Sequence, residues 1–282
     1  MFTMAKRNLR LYFHNKATVF FSLMGAWIAF GLYLIFLQKN MQDAWSGTSH
    51  PEKMLDQWIM GGTLAVASIT TVWTGIVRLV RDRESHKLDD FLLTDTSLFQ
   101  LNLGYVISSA VIGVIMQVLV YLIMALYFSW QDSLAFISLE QGLKLLGLMI
   151  ASSLMSTIIG LVVVQFIKAL EVAERLSVII GTASGFLVGV YVPIGTMPDF
   201  AQKLMKATPW AYVASAYRQI LIGDQVVDWH RPGISVQEYL GIGLKWKELT
   251  SLKQEFLVVG LSLLAGLLLL GLSVLARKSK RV

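Results

Sequence analysis

The sequence predicts an all-α membrane protein that crosses the bilayer six times. Of its 282 residues, 55% are hydrophobic and only 15% are charged, whereas about 25% of the residues in a soluble domain are charged. The hydrophobic residues form six long runs without Asp, Glu, Lys or Arg, and only the fifth, of 17 residues, is marginal for crossing the hydrocarbon core. We therefore expect a single transmembrane domain over residues 1–282, with spans at 19–37, 58–77, 103–128, 145–167, 176–192 and 256–276.

The segment before the first span has an amphipathic helical pattern. Between residues 2 and 16, apolar side chains such as Leu9 and Tyr12 share one helical face, and Lys6, Arg7 and Arg10 share the opposite face. A basic amphipathic helix lies in the membrane interface with its cations near the lipid phosphates; the alternative is a solvated basic tail. The apolar run that follows is longer than that of a signal peptide, so we expect it to remain as the first span.

The distribution of basic residues predicts the orientation. Fourteen Lys and Arg residues flank the spans on one side and ten on the other, and seven of these ten lie in the long segment 193–255. Because long segments contribute little to the positive-inside rule, we expect both termini and the loop 78–102 to be cytoplasmic in a multi-pass protein of the cell membrane. Topology and anionic lipid then account for the net charge of +6, and no nucleic-acid partner is expected.

A dense charged segment, RDRESHKLDDFLLTDTS at 81–97, interrupts the apolar runs within the loop 78–102. Leu88, Phe91 and Leu92 follow helical spacing and form a small apolar face that Arg83, Glu84 and other charged residues surround. Such a helix is too polar to insert into lipid, and its apolar face favours a groove on another protein. The alternative is a soluble loop whose charges serve only to set the topology.

The segment 193–255 between the last two spans predicts short helices at the outer interface. Pro193 and Pro198 cannot continue a helix, so the chain must turn there. The apolar run 210–222 is too short to cross and contains Arg218, which indicates a re-entrant or interfacial piece that packs against protein. The alternative is an ordinary extracellular loop.

Small and polar residues inside the spans indicate contacts between helices. Gly181, Gly185 and Gly189 recur every four residues, a spacing that allows close helix packing; the alternative is that they line a substrate pathway. Gln117 is the most polar side chain deep in a span, and we expect it to hydrogen-bond a neighbouring helix.

The motifs of several function classes are missing. The sequence has no cysteine, four scattered histidines, no phosphate-binding G-x-x-x-x-G-K-[ST] loop and no H-E-x-x-H or G-x-S-x-G motif. We therefore expect no enzyme activity, metal or cofactor in this chain. Because ion-coupled carriers place ionisable residues within the membrane, the charge-free spans indicate a transporter that takes its energy from a partner.

The second half of the chain resembles the permease subunits of ABC-2 type transporters. The resemblance rests on a glycine-rich fifth span, an outer Pro-x(4)-Pro turn, a P-x-x-Y step and an Arg-x-x-Leu-x-Gly close, carried here by Gly185, Gly189, Pro193, Pro198, Pro209, Tyr212, Arg218, Leu221 and Gly223. The interfacial helix and the charged loop after the second span fit the same layout. Residues 224–255 match it least.

The resemblance implies a function and partners. A second permease copy or a paralogue would complete a dimer, and two separate cytoplasmic ATPase subunits would bind ATP and Mg. The loop 78–102 would then be the coupling loop, with its short helix docked on the ATPase, and the cargo would be a drug, an antimicrobial peptide or a lipid-like molecule moved outward. Two alternatives remain open: a secondary transporter or channel that needs no ATPase, and a membrane-embedded assembly or sensor protein that transports nothing.

Overall fold

The computed structural model describes residues 1–44, 51–93, 97–223 and 235–279, and helices account for most of them. A π-helical turn at Tyr33–Leu37 and a short 3-10 turn at Ile194–Thr196 interrupt the α-helices. In chain order the helices within the described ranges are α1 (Phe2–His14), α2 (Lys16–Ser22), α3 (Met24–Leu32), α4 (Gln38–Ala44), α5 (Pro51–Glu84), α6 (Lys87–Leu92), α7 (Leu98–Asp132), α8 (Leu139–Val164), α9 (Leu170–Leu187), α10 (Asp199–Lys206), α11 (Pro209–Ile222), α12 (Val236–Leu240) and α13 (Leu252–Ser279).

Four helices are long and apolar enough to cross a membrane: α5, α7, α8 and α13. The bent pair formed by Lys16–Ser22 and Met24–Asp43 is a fifth candidate if it forms one span. The predicted all-α membrane architecture is confirmed, but the count of six spans is not. Helix α9 covers the predicted fifth span, yet it ends at Leu187 instead of residue 192 and begins with the charged residues Glu171, Glu174 and Arg175. Only about three of its turns are therefore apolar.

The first predicted span is bent. The helices Lys16–Ser22 and Met24–Asp43 meet at 49°. The Ser22 hydroxyl donates to the carbonyl of Val19 at 2.8 Å, and this is the carbonyl that the Leu23 N–H would use in an unbroken helix. Leu23 bonds instead to the carbonyl of Phe20. Back-bonding by a serine hydroxyl bends helices in this way.

Helix α5 lies at the centre of the bundle. Residues 54–73 are all buried, and α3, α7, α8, α9 and α11 pack around them. By contrast, α13 exposes leucines over most of its length, including Leu261, Leu268 and Leu272. An exposed apolar helix of this kind is suited to contact with lipid. The exposed helix α13 is also the more apolar of the two, with a mean hydropathy of 2.5 against 1.5 for α5.

Gln117 confirms the predicted contact between helices. Its amide nitrogen on α7 donates to the Ser153 hydroxyl on α8 at 2.8 Å, and its amide oxygen accepts the Tyr217 hydroxyl from α11. Ser152 joins the same network. The polar groups of Gln117, Ser152, Ser153 and Tyr217 thus have partners inside the bundle, as an apolar environment favours.

Candidate functional site

Helix α1 packs against the other helices through a face that contains both polar and apolar side chains. Met4, Ala5, Asn8 and Tyr12 are buried, mostly against α7, whereas Lys6 and Arg10 are exposed, as is Phe2 on the predicted apolar face. Arg7 is only partly exposed, because it turns toward α5. The sequence pattern therefore located the helix but misassigned part of its buried face, including Arg7.

Arg7 binds a buried carboxylate at the end of α5. Its two terminal nitrogens lie 2.7 and 3.2 Å from the two oxygens of Asp82, whose side chain is fully buried. The Tyr105 hydroxyl donates to Asp82 at 2.7 Å, and Arg78 lies 3.5 Å away. The hydrogen bond to Asp82 raises the pKa of Arg7 above its ordinary value. This ion pair joins α1, α5 and α7 at the end of the bundle where α6 lies, here called the α6 end.

Arg83 and Glu84 bind the link between α8 and α9. Arg83 donates to the carbonyls of Val164 and Ile167, which lie at the C-terminal end of α8. Glu84 accepts the N–H of Leu170, the first residue of α9. Both contacts satisfy backbone groups that helix ends leave without a partner. The two predicted coupling residues therefore tie the loop 78–102 to the loop between α8 and α9.

The short helix α6 packs partly against its own chain. His86 adopts φ of 57°, which turns the chain sharply before α6. Leu88 and Phe91 are partly buried against the apolar cluster around Met4, and the guanidinium carbon of Arg7 lies 5.1 Å from the centre of the Phe91 ring. The Leu92 side chain is outside the described residues. Leu93, which follows α6, is an apolar residue that is 88% exposed.

A cavity of about 630 Å³ opens among α1, α2, α3, α5 and α9. Its lining runs along α5 from Arg81 to Thr70, a distance of about 16 Å. Arg78, Arg81 and Glu174 line the α6 end of the cavity, whereas Ile28 and Gly181 lie toward the middle of the bundle. The volume is within the range of small-molecule sites, about 300–1,000 Å³.

Arg218 is buried at the opposite end of the bundle, where α11 packs on α5. Its guanidinium lies 5.0 Å from the Trp58 ring. It donates to backbone carbonyls at two helix ends, those of Val188 and Gly189 after α9 and those of Leu240 and Gly241 after α12. Arg218 therefore joins α5, α9, α11 and α12, and none of the acidic residues in the described ranges is in hydrogen-bond contact with it.

Gly61 makes this approach of α11 to α5 possible. A Cβ at position 61 would lie 2.9 Å from both the backbone nitrogen and the Cγ of Arg218. We expect Gly61→Ala to cost about 1–3 kcal/mol of stability, because two helix backbones would have to separate. A thermal melt in detergent measures the effect. Gly147→Ala is the matched control, since a Cβ there meets no atom within 4 Å, and an equal loss in both variants would contradict the explanation.

The predicted outer turns lie where the prolines occur. Pro193 precedes the 3-10 turn, Pro198 precedes α10, and Pro209 is the first residue of α11. Proline is favoured at the first helical position because its missing N–H would have had no partner. Tyr212 is buried in α11, and its hydroxyl accepts the indole N–H of Trp246 at 3.0 Å.

The three glycines of the predicted fifth span have different surroundings. A Cβ at Gly181 would meet no atom within 4 Å, and the residue lines the cavity. Gly185 packs against the ring of Tyr191 in the turn that follows α9. Gly189 lies beyond the helix at φ of +62° and ends it. Of the three glycines, only Gly181 lines the cavity, and Gly185 supports a turn within its own segment.

Two buried carboxylates lie just outside the apolar runs from which the spans were predicted. Asp56 on α5 accepts the Tyr33 hydroxyl at 2.9 Å. Glu255 on α13 accepts the hydroxyls of Ser215 and Thr250. Both lie one turn or less before the predicted starts of spans two and six, because the helices extend beyond the apolar runs. Their hydroxyl partners come from outside the helices that carry the two carboxylates, so helical spacing gave no signal for them.

The family model for the ABC-2 type transporter matches residues 1–222. The chain belongs to the ABC-2 type transporter family. It is thus a membrane-embedded permease subunit of an ABC transporter, and the family implies association with ABC ATPase subunits. The match covers the interfacial helix, α6, the cavity and α11 of this ABC-2 permease. None of the curated proteins matches the sequence.

Proposed function

We propose that this ABC-2 permease is the membrane subunit of an exporter driven by two cytoplasmic ABC ATPase subunits. A second permease copy or a paralogue completes the pathway, and ATP and Mg bind to the ATPases alone. The cargo is a hydrophobic or amphipathic molecule, such as a drug, an antimicrobial peptide or a lipid-like compound, and it leaves through the cell membrane. Both termini and the α6 end lie in the cytoplasm.

The observation that supports this proposal is the connection between the α6 end and the cavity. Arg83 and Glu84 at the end of α5 bind the ends of α8 and α9, and Arg81 pairs with Glu174 on α9 at 3.2 Å. The same two helices, α5 and α9, form two of the walls of the cavity. A displacement of the loop 78–102 by an ATPase would therefore move both walls.

The contacts of α11 supply the other requirement of an exporter, a closed outer end. Arg218 holds α11 against α5 and against the segment after α9. The segment after α9 continues directly from a cavity wall. Outward release would therefore require that the end of α9 move relative to Arg218, which links motion at the cavity to opening at the far end.

The exposed position of Leu93 provides the test. We expect Leu93→Asp to abolish co-purification of the ABC ATPase and cargo-stimulated ATP hydrolysis in proteoliposomes, because a carboxylate would replace an apolar contact. The captured subunit is identified by mass spectrometry through its phosphate-binding loop. Leu139→Asp is the matched control: it is 83% exposed in the first turn of α8 at the opposite end, where an acidic residue is well tolerated. Full ATPase coupling in Leu93→Asp would refute the docking site.

An ATPase-independent secondary transporter is the second candidate, and the buried carboxylates Asp56 and Glu255 favour it. Ion-coupled carriers use such groups within the membrane. Neither residue lines the cavity, however, so a coupled ion and the cargo would occupy separate places. Purified permease reconstituted alone decides between the candidates: cargo flux driven by a proton or sodium gradient, unchanged by added ATPase, would replace the exporter proposal.

A further inference from the structure

The cavity beside α5 has one charged end and one apolar end. Arg78, Arg81 and Glu174 lie at the α6 end, and Phe21, Ile28 and Gly181 are among the residues farther along the lining. Such a division suits an elongated molecule with a polar head and an apolar body. The length of about 16 Å along α5 then limits the size of that body.

The charges around the cavity leave an excess of positive charge. Arg81 is paired with Glu174, and Asp82 is paired with Arg7, whose two nitrogens bind both of its oxygens. The Tyr105 hydroxyl donates another hydrogen bond to Asp82. Arg78 is the fifth charged group here, in addition to these two pairs. The five groups together therefore carry one net positive charge.

Arg78 has hydrogen-bond donors that its neighbours do not use. Its Nε is buried and lies 3.5 Å from Asp82 Oδ1 in a geometry that forms no hydrogen bond. Within the described ranges of the chain, no acceptor receives a hydrogen bond from its guanidinium, and the side chain is 22% exposed. A buried donor without a partner costs about 1–3 kcal/mol. Because that Nε is closed to solvent, a ligand oxygen in the cavity would bind the exposed part of the guanidinium instead.

We propose that the cavity binds an anionic amphiphile, with an acidic oxygen headgroup at Arg78 and an apolar chain extending between α3 and α9 toward Gly181. Guanidinium groups favour phosphate and carboxylate oxygens because they donate several N–H groups in a fixed geometry. Asn8 and Asn15 add amide groups to the lining near this end. The proposal that this cavity binds such a ligand does not depend on the proposed export function. Only the identification of that ligand as the exported cargo rests on it.

The experiment measures binding to the permease alone in nanodiscs of zwitterionic lipid. The probes are dodecyl phosphate and dodecyl maltoside, which share one alkyl chain and differ in headgroup charge. We expect dodecyl phosphate to bind more tightly, and Arg78→Gln to weaken it at least about tenfold while leaving dodecyl maltoside unchanged. Arg175→Gln removes one positive charge from the exposed face of α9 outside the cavity and should leave both affinities unchanged.

Gly181→Leu tests the apolar end of the cavity while the charges remain intact. A side chain there enters open space, so the fold should persist and both probes should bind more weakly. Equal affinities of the wild-type protein for the two probes, no loss in Arg78→Gln, or the same loss in Arg175→Gln would each overturn the proposal. Full binding by Gly181→Leu would do so as well.

Nanodiscs that contain phosphatidylglycerol distinguish the sources of the headgroup. Weaker apparent binding of dodecyl phosphate in these discs supports a membrane phospholipid as the occupant, and unchanged binding supports a ligand that enters from solution. Because no ATPase is present, a negative result removes the anionic ligand class and leaves the export proposal standing. Failure of the Leu93→Asp test leaves these affinities unaffected.

Discussion

Arg218→Met is expected to lower the free energy of unfolding by at least about 3 kcal/mol. The variant keeps the apolar stem but leaves carbonyls at the ends of α9 and α12 without their donor. Each buried polar group that loses its partner costs about 1–3 kcal/mol. A thermal melt of the purified permease in detergent would show the loss as a reduced Tm.

Two further variants separate charge from geometry at this position. Arg218→Lys retains the positive charge, but an ammonium group cannot reach the two sets of carbonyls together, so we expect an intermediate Tm. Arg175→Met removes an arginine whose pair with Glu171 is exposed, and we expect a change within about 0.5 kcal/mol. A wild-type Tm for Arg218→Met would show that the guanidinium is not needed to hold α11 in place.

Asp82→Asn is expected to release α1 from the α6 end. The amide cannot balance the charge of Arg7, and removing one partner of a buried ion pair costs about 3–5 kcal/mol. Because the sequence contains no cysteine, a single Ala5→Cys provides a specific probe of the buried face of α1. Its reaction with a maleimide should be at least about tenfold faster in the Asp82→Asn background.

Lys6→Gln is the matched control for the release of α1. It removes a positive charge from the exposed face of the same helix, so labelling of Ala5→Cys should stay at its original rate. If Asp82→Asn also leaves that rate unchanged, packing of Met4, Asn8 and Tyr12 holds α1 without the ion pair. ATPase coupling in Asp82→Asn would then be expected to remain intact too.

Local rules of helix formation and solvation predicted much of the fold. The apolar runs located the long helices, the prolines at 193, 198 and 209 marked the outer turns, and the basic amphipathic pattern located α1. These features depend on neighbouring residues in the chain, and their positions therefore follow from the sequence. Gln117 belongs with them, since a lone amide in an apolar run requires a partner on another helix.

The contacts between distant segments could not be predicted in this way. Asp82 belongs to a charged loop by composition, but it is buried because Arg7 and Tyr105 meet it from two other helices. The apolar runs also end where helices α5 and α13 continue, so Asp56 and Glu255 were assigned to loops. The bend in the first span could not be predicted for a similar reason: the Ser22 hydroxyl competes for a backbone carbonyl inside an otherwise uniform run.

The acceptors of Arg218 have a consequence for sequence variation. The match to the family ends at residue 222, so it includes Arg218 but not Leu240 or Gly241, which supply two of the guanidinium's five carbonyl partners. The Leu240 carbonyl is available whatever side chain the residue carries. Gly241, by contrast, has φ of +67°, and a Cβ there would lie 3.1 Å from the Arg218 guanidinium. Position 241 is therefore the place in this segment where a side chain would disturb the arginine, although only its main chain contacts it.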